Sequence, residues 1–461
     1  MMRRILWFRH ATLVASVLLH VGCTDKQRPV EPTPVFNAAV AATTSMPELV
    51  RQLAAGRGIV PLPQTPFVRP ALVQLGQALT FDKILSGNRD ISCGTCHLPA
   101  FATGDGKSLS VGQGASGLGP GRSHPQGVFI PRNAPPLFNL AAMKHLFWDG
   151  RVQLGSDGTV RTPAGSKITP AMARTFEFGA ISALGMFPVT NRAEMRAGSG
   201  NELADIPDAD LNAIWAALMG RLGAIPEYRQ MFEAAYPGQH FADMTFAHAS
   251  NAIAGFIVGR MTFANSPWDR FLAGKDNALT SAQLEGAKTF LTLKCSICHG
   301  GSTFSDEQFH NVAVAQIGPG QGNGESRRDD FGRMNVTGAV SDRYRFRSTP
   351  LRNVELTGPY GHDGAILTLR GFIEHYSESD KKLLAFDPST LEPALRGTLL
   401  PNAAAILAQR DTLLNGVVLT NDLVDRLMSY MTALTDAAAR DIRSLTPDRV
   451  PSGLPVDRPR P

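Results

Sequence analysis

The stretch Ser92–Pro99, SCGTCHLP, places two cysteines and a histidine at C-x-x-C-H spacing, and KCSICHGG at Lys294–Gly301 repeats it. That spacing is how a c-type haem is held, by two thioether bonds from the cysteines with the histidine as an axial iron ligand. A zinc site would want a fourth ligand from a neighbouring pair, and a redox C-x-x-C would leave both histidines unexplained. Cys93, Cys96 and His97 are therefore expected to hold one covalent haem c, and Cys295, Cys298 and His299 a second. What each iron does depends on its other face. A filled sixth position makes an electron carrier, and an open one admits peroxide or oxygen.

The chain has 461 residues, 43% of them hydrophobic, which is enough for two or three domains with real cores. Arg3, Arg4 and Arg9 precede the short apolar run ATLVASVLL, the pattern of an export signal over residues 1–23. That run is too short to span a bilayer, which takes about 20 residues. VGC at Val21–Cys23 resembles a lipoprotein cleavage box, although His20 stands where such boxes usually carry Leu; Cys23 is a candidate for lipidation. Export to the periplasm agrees with haem attachment, which in bacteria takes place outside the cytoplasm. Removing the three signal arginines lowers the net charge from +5 to about +2, and no long basic run remains, which argues against a nucleic-acid partner.

The class read from the sequence is mostly α, with two cytochrome c-like domains, one covalent haem in each, and long Gly/Pro-rich loops. Residues 24–46 read as a flexible linker, 47–265 as the first haem domain, 266–439 as the second, and 440–461 as a Pro/Arg-rich tail without assigned structure. LGQALTF (Leu75–Phe81) and LEGAKTF (Leu284–Phe290) precede the two haem motifs as a weak internal repeat. Thr280 and Gln283 stand at capping-box spacing before the second of these, and Thr420 opens an amphipathic helix carrying Leu423, Leu427, Met431 and Leu434. The glycine-rich Thr103–Arg122 and the stretch Leu154–Ala171 read as loops, the former functional or mobile.

LTFDKILSGNRDISCGTCH, RNAPPLFNL, LFWDGR, FPVTNRAEM, KCSICHGG and LRNVELTGPYGHDGAILTLRGFIEHY follow one another in this order. Over about Val73 to Leu434 the chain resembles bacterial dihaem cytochrome c peroxidases and the related MauG enzymes. The resemblance implies a peroxidatic first haem, an electron-transferring second haem and one calcium ion between the domains.

Residue by residue, the resemblance implies the following. Family members that need reductive activation carry a histidine ligand sixteen residues after the first haem histidine; here that position is Gln113, a poor iron ligand, so the first iron is expected to be open. His124 in the same region is the competing ligand. Fourteen residues after His362, where peroxidases carry methionine and MauG tyrosine, stands Tyr376. A phenolate would favour oxidised iron, and His375 is the alternative. Glu194 matches the distal acid that moves a proton during peroxide cleavage. Leu184 replaces a glutamine that relatives carry nearby. Trp148 matches the aromatic relay between the haems, and Asn133, Thr357 and Pro359 match the calcium ligands. Leu293 stands where MauG has the surface tryptophan that draws electrons from its protein substrate; Trp215 and Trp268 are other possible relay points.

These features imply an exported dihaem oxidoreductase. It would use hydrogen peroxide at an open haem to form high-valent iron and oxidise a partner, a protein side chain as in the MauG- and MbnH-like branches, by long-range electron transfer. The rival is a peroxidase that reduces hydrogen peroxide with electrons from a small cytochrome c or cupredoxin. A dihaem electron carrier or redox sensor is the non-enzyme alternative.

Overall fold

The structure, a computed structural model, describes residues 44–459. The expected export signal, Cys23 and nearly all of the expected linker lie outside the described residues. Helices and irregular segments dominate, as the composition implies, and strands are few and short. No helix among the described residues is long and apolar enough to cross a membrane.

Two helix pairs build the two main cores. In the first half, Pro70–Phe81 crosses Phe246–Arg260, which is buried from Phe246 through Val258. Gly76 makes the crossing close: a Cβ there would stand 1.9 Å from the Ala252 carbonyl oxygen. In the second half, Ser281–Thr292 crosses Asn421–Ala433, and Gly286 plays the same part, 2.1 Å from the Arg426 carbonyl oxygen. Thr280 and Gln283 form the capping box read from the sequence, and Thr420 caps the last long helix. The repeat LGQALTF/LEGAKTF thus marks equivalent helices whose glycines admit a partner backbone.

The cores divide the chain differently from the expected boundaries. Helix Met46–Gly56, placed by the sequence in the linker and first domain, buries Val50 and Ala54 among Trp268, Phe271 and Phe290 of the second core. The segment after residue 439, expected to lack structure, sends Ile442, Leu445 and Val450 into the first core. Periodicity shows that a helix has an apolar face but not which core it meets. A segment rich in proline has no periodicity to read at all.

The loops are also more built than expected. Within Leu154–Ala171, Val160–Arg161 pairs with Val152–Leu154, which pairs in turn with His145–Leu146, all antiparallel. Residues 147–151, including Trp148, form the turn of that first hairpin. Loop Thr103–Arg122 carries Leu109 into a cluster with Val314, Ile317 and Ala365 of the second half, and Lys107 pairs with Glu392 at 2.5 Å. A second short pair, Phe309–His310 with Phe346–Arg347, lies beside the second haem motif.

Candidate functional site

Each attachment motif forms one short helix, Cys93–Cys96 and Cys295–Cys298, with its histidine as the C-cap. None of the four cysteines is in a disulfide. Burial pushes the Cys93 and Cys295 thiols up to about 11 and Cys96 well above its ordinary range. His97 Nδ1 donates to the Thr103 carbonyl at 2.8 Å, and His299 Nδ1 to the Phe304 carbonyl at 3.1 Å. Those bonds fix the tautomer and leave each Nε2 lone pair for a metal. Both acceptors sit on left-handed residues, with φ +66° and +58°. These carbonyls were not read from the sequence because they stand at different offsets, six residues after one histidine and five after the other.

Glu194 lies on a π-helical turn, Arg192–Arg196, of the kind that often marks a functional position. Asn191 Oδ1 accepts from the Ala193 and Glu194 amides at 2.9 and 3.1 Å, so the motif's asparagine shapes the turn. The Glu194 carboxyl lies within electrostatic range of Cys93 and Cys96. Burial raises its pKa, opposed by Arg151 and Arg132. Gln113 packs against this turn. Its Nε2 donates to the Met195 carbonyl, its Oε1 is buried without a partner, and Gly112 lets the loop approach until a Cβ would stand 1.8 Å from the Ala193 oxygen. His124 lies over Gly114, and its Nδ1 accepts from the Gln126 amide at 3.0 Å. Leu184 packs against the first core.

Around the second motif, a cavity of about 450 Å³ is lined by Cys295, Cys298, His299 and Tyr376. Burial raises the Tyr376 phenol, with Cys298 and Cys295 the groups acting on it electrostatically. His375 turns away. Its Nε2 donates to the Val312 carbonyl at 2.7 Å, its ring lines a separate cleft with Lys382 and Phe386, and burial lowers its pKa to about 4. Leu293 also lines the larger cavity, while Trp215 and Trp268 are interior residues of the two cores. His310, absent from the sequence reading, lines the cavity too. It bonds Asp411 at 2.6 Å and Asp306 at 3.0 Å; burial works against its protonation, and the two carboxylates favour it. A lone histidine gives no sequence signal when its carboxylates come from 4 and 101 residues away.

Trp148 belongs to the second region. It lines the second cavity, and its Nε1 donates to the Asn133 carbonyl at 2.9 Å. Arg132 bonds Asp149 at 2.6 Å and Asp330 at 2.6 and 2.8 Å, all three buried, and Arg132 and Arg151 also act on Glu194. The Asn133 amide donates to the Lys107 and Ser108 carbonyls at 2.9 and 3.2 Å, and Asn133, Thr357 and Pro359 line the same cavity as Trp148. The donor sets fit the expected groups: thiols with a metal-ready imidazole at each motif suit haem c, and neutral hard oxygens suit calcium completed by water.

Residues 70–277 match the family model for the di-haem cytochrome c peroxidase. The chain is 31% identical to cytochrome c551 peroxidase of Pseudomonas aeruginosa over 64% of its own length and 69% of that protein. It is 31% identical to cytochrome c peroxidase Ccp of Escherichia coli over 68% of its length, a match spanning only 55% of that relative. It is 27% identical to methylamine utilization protein MauG of Methylorubrum extorquens, over 73% of this chain and 78% of that one. Among solved structures, a MauG-like protein associated with microbial copper homeostasis superposes with a TM-score of 0.58 at 26% identity, covering 85% of this chain and 97% of the other. With two C-x-x-C-H helices and these relatives, the chain belongs to the dihaem cytochrome c peroxidase/MauG superfamily of haem enzymes.

Proposed function

We propose that this is a periplasmic dihaem oxidoreductase of the MauG-like kind, which takes oxidising equivalents from hydrogen peroxide at the His97 site and uses them on a partner protein's side chain. Two haem c groups and one calcium ion, held by Asn133, Thr357 and Pro359, complete it, and a haem-bound iron supplies the redox chemistry. Glu194 holds and moves the proton during peroxide cleavage. Gln113, committed to the Met195 carbonyl, leaves the first site open. Trp148 would relay charge to the second site, and Tyr376 would join His299 in holding the second iron. One observation carries the reading: Tyr376, not His375, shares a cavity with Cys295, Cys298 and His299. The test is EPR and optical spectroscopy of the ferric protein before and after one equivalent of peroxide. One high-spin and one low-spin haem, both changed by the peroxide, are expected; two low-spin haems without prior reduction would sink the reading.

Two variants sharpen it. Tyr376→Phe should replace the second haem's low-spin EPR signal, while His375→Ala should leave it in place. Trp148→Phe should preserve peroxide consumption at the first site but slow oxidation of the partner about tenfold or more, a barrier change of ~1.4 kcal/mol.

The second reading, a peroxidase fed by a small cytochrome c or cupredoxin, is favoured by the two 31% identical relatives, both named peroxidases. Sustained turnover with a reduced cytochrome donor would select it over the first.

A further inference from the structure

The segment after residue 442 is a strap that runs back over the first domain and ends on the first haem motif. Leu445 and Val450 enter the first core, and Leu454 and Val456 pack against it. Ser452 Oγ donates to Asp82 Oδ1 at 2.6 Å, with the Ser452 amide 3.2 Å from Asp82 Oδ2. The Asp457 carboxylate then accepts from Thr95 Oγ1 at 2.5 Å and pairs with Lys83 Nζ at 2.6 Å. Thr95 stands between the two cysteines of the first motif.

The second motif provides an internal comparison. Ile297 occupies the place of Thr95, and among the described residues no side chain is hydrogen-bonded over it. Thr95 is 0% exposed and Ile297 is 40% exposed. Lys294 beside Ile297 is exposed, and Val418, at the rim of the second cavity, is 73% exposed. A haem attached through both cysteines would have the two residues between them beside its thioether bonds, so their exposure would set how near another protein's redox centre could come. Among the described residues, the first attachment motif is covered by the strap and the second is uncovered at Ile297.

We propose that the strap is a shield, which excludes macromolecular electron donors from the first attachment edge while leaving the second open to them. The inference rests on the haem-bearing, peroxide-using reading above. It adds a reason why electrons or oxidising equivalents exchanged with a protein do not short-circuit at the peroxidatic site. Hydrogen peroxide is the oxidant: with two protons and two electrons it becomes two waters, and two ferrocytochromes each lose one electron. A donor docked at the first edge would deliver those electrons there directly, without using Trp148 or the second haem. The shield acts by size, since a covering of one chain thickness blocks a protein but not a small anion.

The test uses the holoprotein, Asp457→Ala, and a chain ending at Gly453. The shortened chain keeps Leu445, Val450 and the Ser452–Asp82 bonds, so the first core is retained. Hydrogen exchange should quicken at Gly94–His97 in both variants and stay unchanged at Ser296–His299. Kinetically, Ile297→Glu impedes docking at the bare edge. In that background, shortening the chain should raise peroxide-driven oxidation of horse-heart ferrocytochrome c about tenfold and leave ferrocyanide oxidation unchanged. Equal exchange with and without the strap, or a protein-donor rate indifferent to it, would overturn the proposal. A holoprotein that consumes no peroxide would sink the proposed function, while exchange at Gly94–His97 would still decide whether the strap seals the edge.

Discussion

Glu194→Gln should lower the second-order rate constant for peroxide consumption by about 10²–10⁴-fold, the range spanned by a positioned acid–base side chain. The amide keeps the size and much of the hydrogen bonding, and the Arg192–Arg196 turn stays capped by Asn191 because those bonds reach only the backbone amides of Ala193 and Glu194. What is lost is the ability to accept a proton from one peroxide oxygen and deliver it to the other. The pH dependence identifies the group. Burial raises the Glu194 carboxyl above its ordinary 4.5, with Arg151 and Arg132 opposing. The wild-type rate should therefore decline on acidification from a pH above that of a solvated glutamate, as the base form is lost. In Glu194→Gln the residual rate should be flat over the same window. Stopped-flow rates between pH 4 and 8, with optical spectra confirming both haems in each variant, decide the matter. An unchanged rate would remove Glu194 from the chemistry.

That site was legible because its residues carry local signatures. C-x-x-C-H is contiguous, and Glu194 follows an asparagine that shapes its own turn, so the motif and the geometry are one object. The helices before each motif were legible for the same reason: Thr280 with Gln283 and the apolar face of Asn421–Ala433 are local facts. What escaped depends on chain returning from afar. Asp411 reaches His310 from 101 residues away, Met46–Gly56 crosses to the second core, and the strap settles on Thr95 from 362 residues away. None of these contacts leaves a period or a spacing. A proline-rich segment that packs by a few isolated side chains and two carboxylate anchors cannot be told from a free tail by composition alone.

Arg132 makes buried contacts of that distant kind. It sits between Asp149, beside Trp148, and Asp330 of the second half, with both carboxylates buried. Arg132→Leu should cost about 3–5 kcal/mol, because removing one partner leaves buried charges without compensation. An exposed control such as Arg161→Leu, whose pair with Asp157 is solvated, should leave the unfolding midpoint nearly unchanged. Denaturant unfolding of the holoprotein compares them. The sign of the pH dependence follows from the acids. Burial alone would raise Asp149, but Arg132 and Arg151 overcome it and hold the carboxyl at about 2; Asp330 is likewise lowered. A carboxyl depressed on folding stabilises the fold above its unfolded pKa, near 3.8, and that contribution is lost as pH falls toward 2. The gap between wild type and Arg132→Leu should thus be full at pH 7 and shrink below about pH 4. The same substitution removes a positive charge that opposes the rise in Glu194's pKa. If the domain contact and the distal acid are electrostatically joined as the geometry implies, the acid limb of the peroxide rate should move to higher pH in Arg132→Leu. An unmoved limb alongside the lost stability would show that Arg132 only clamps the Trp148 turn to the second half and leaves the proton chemistry untouched.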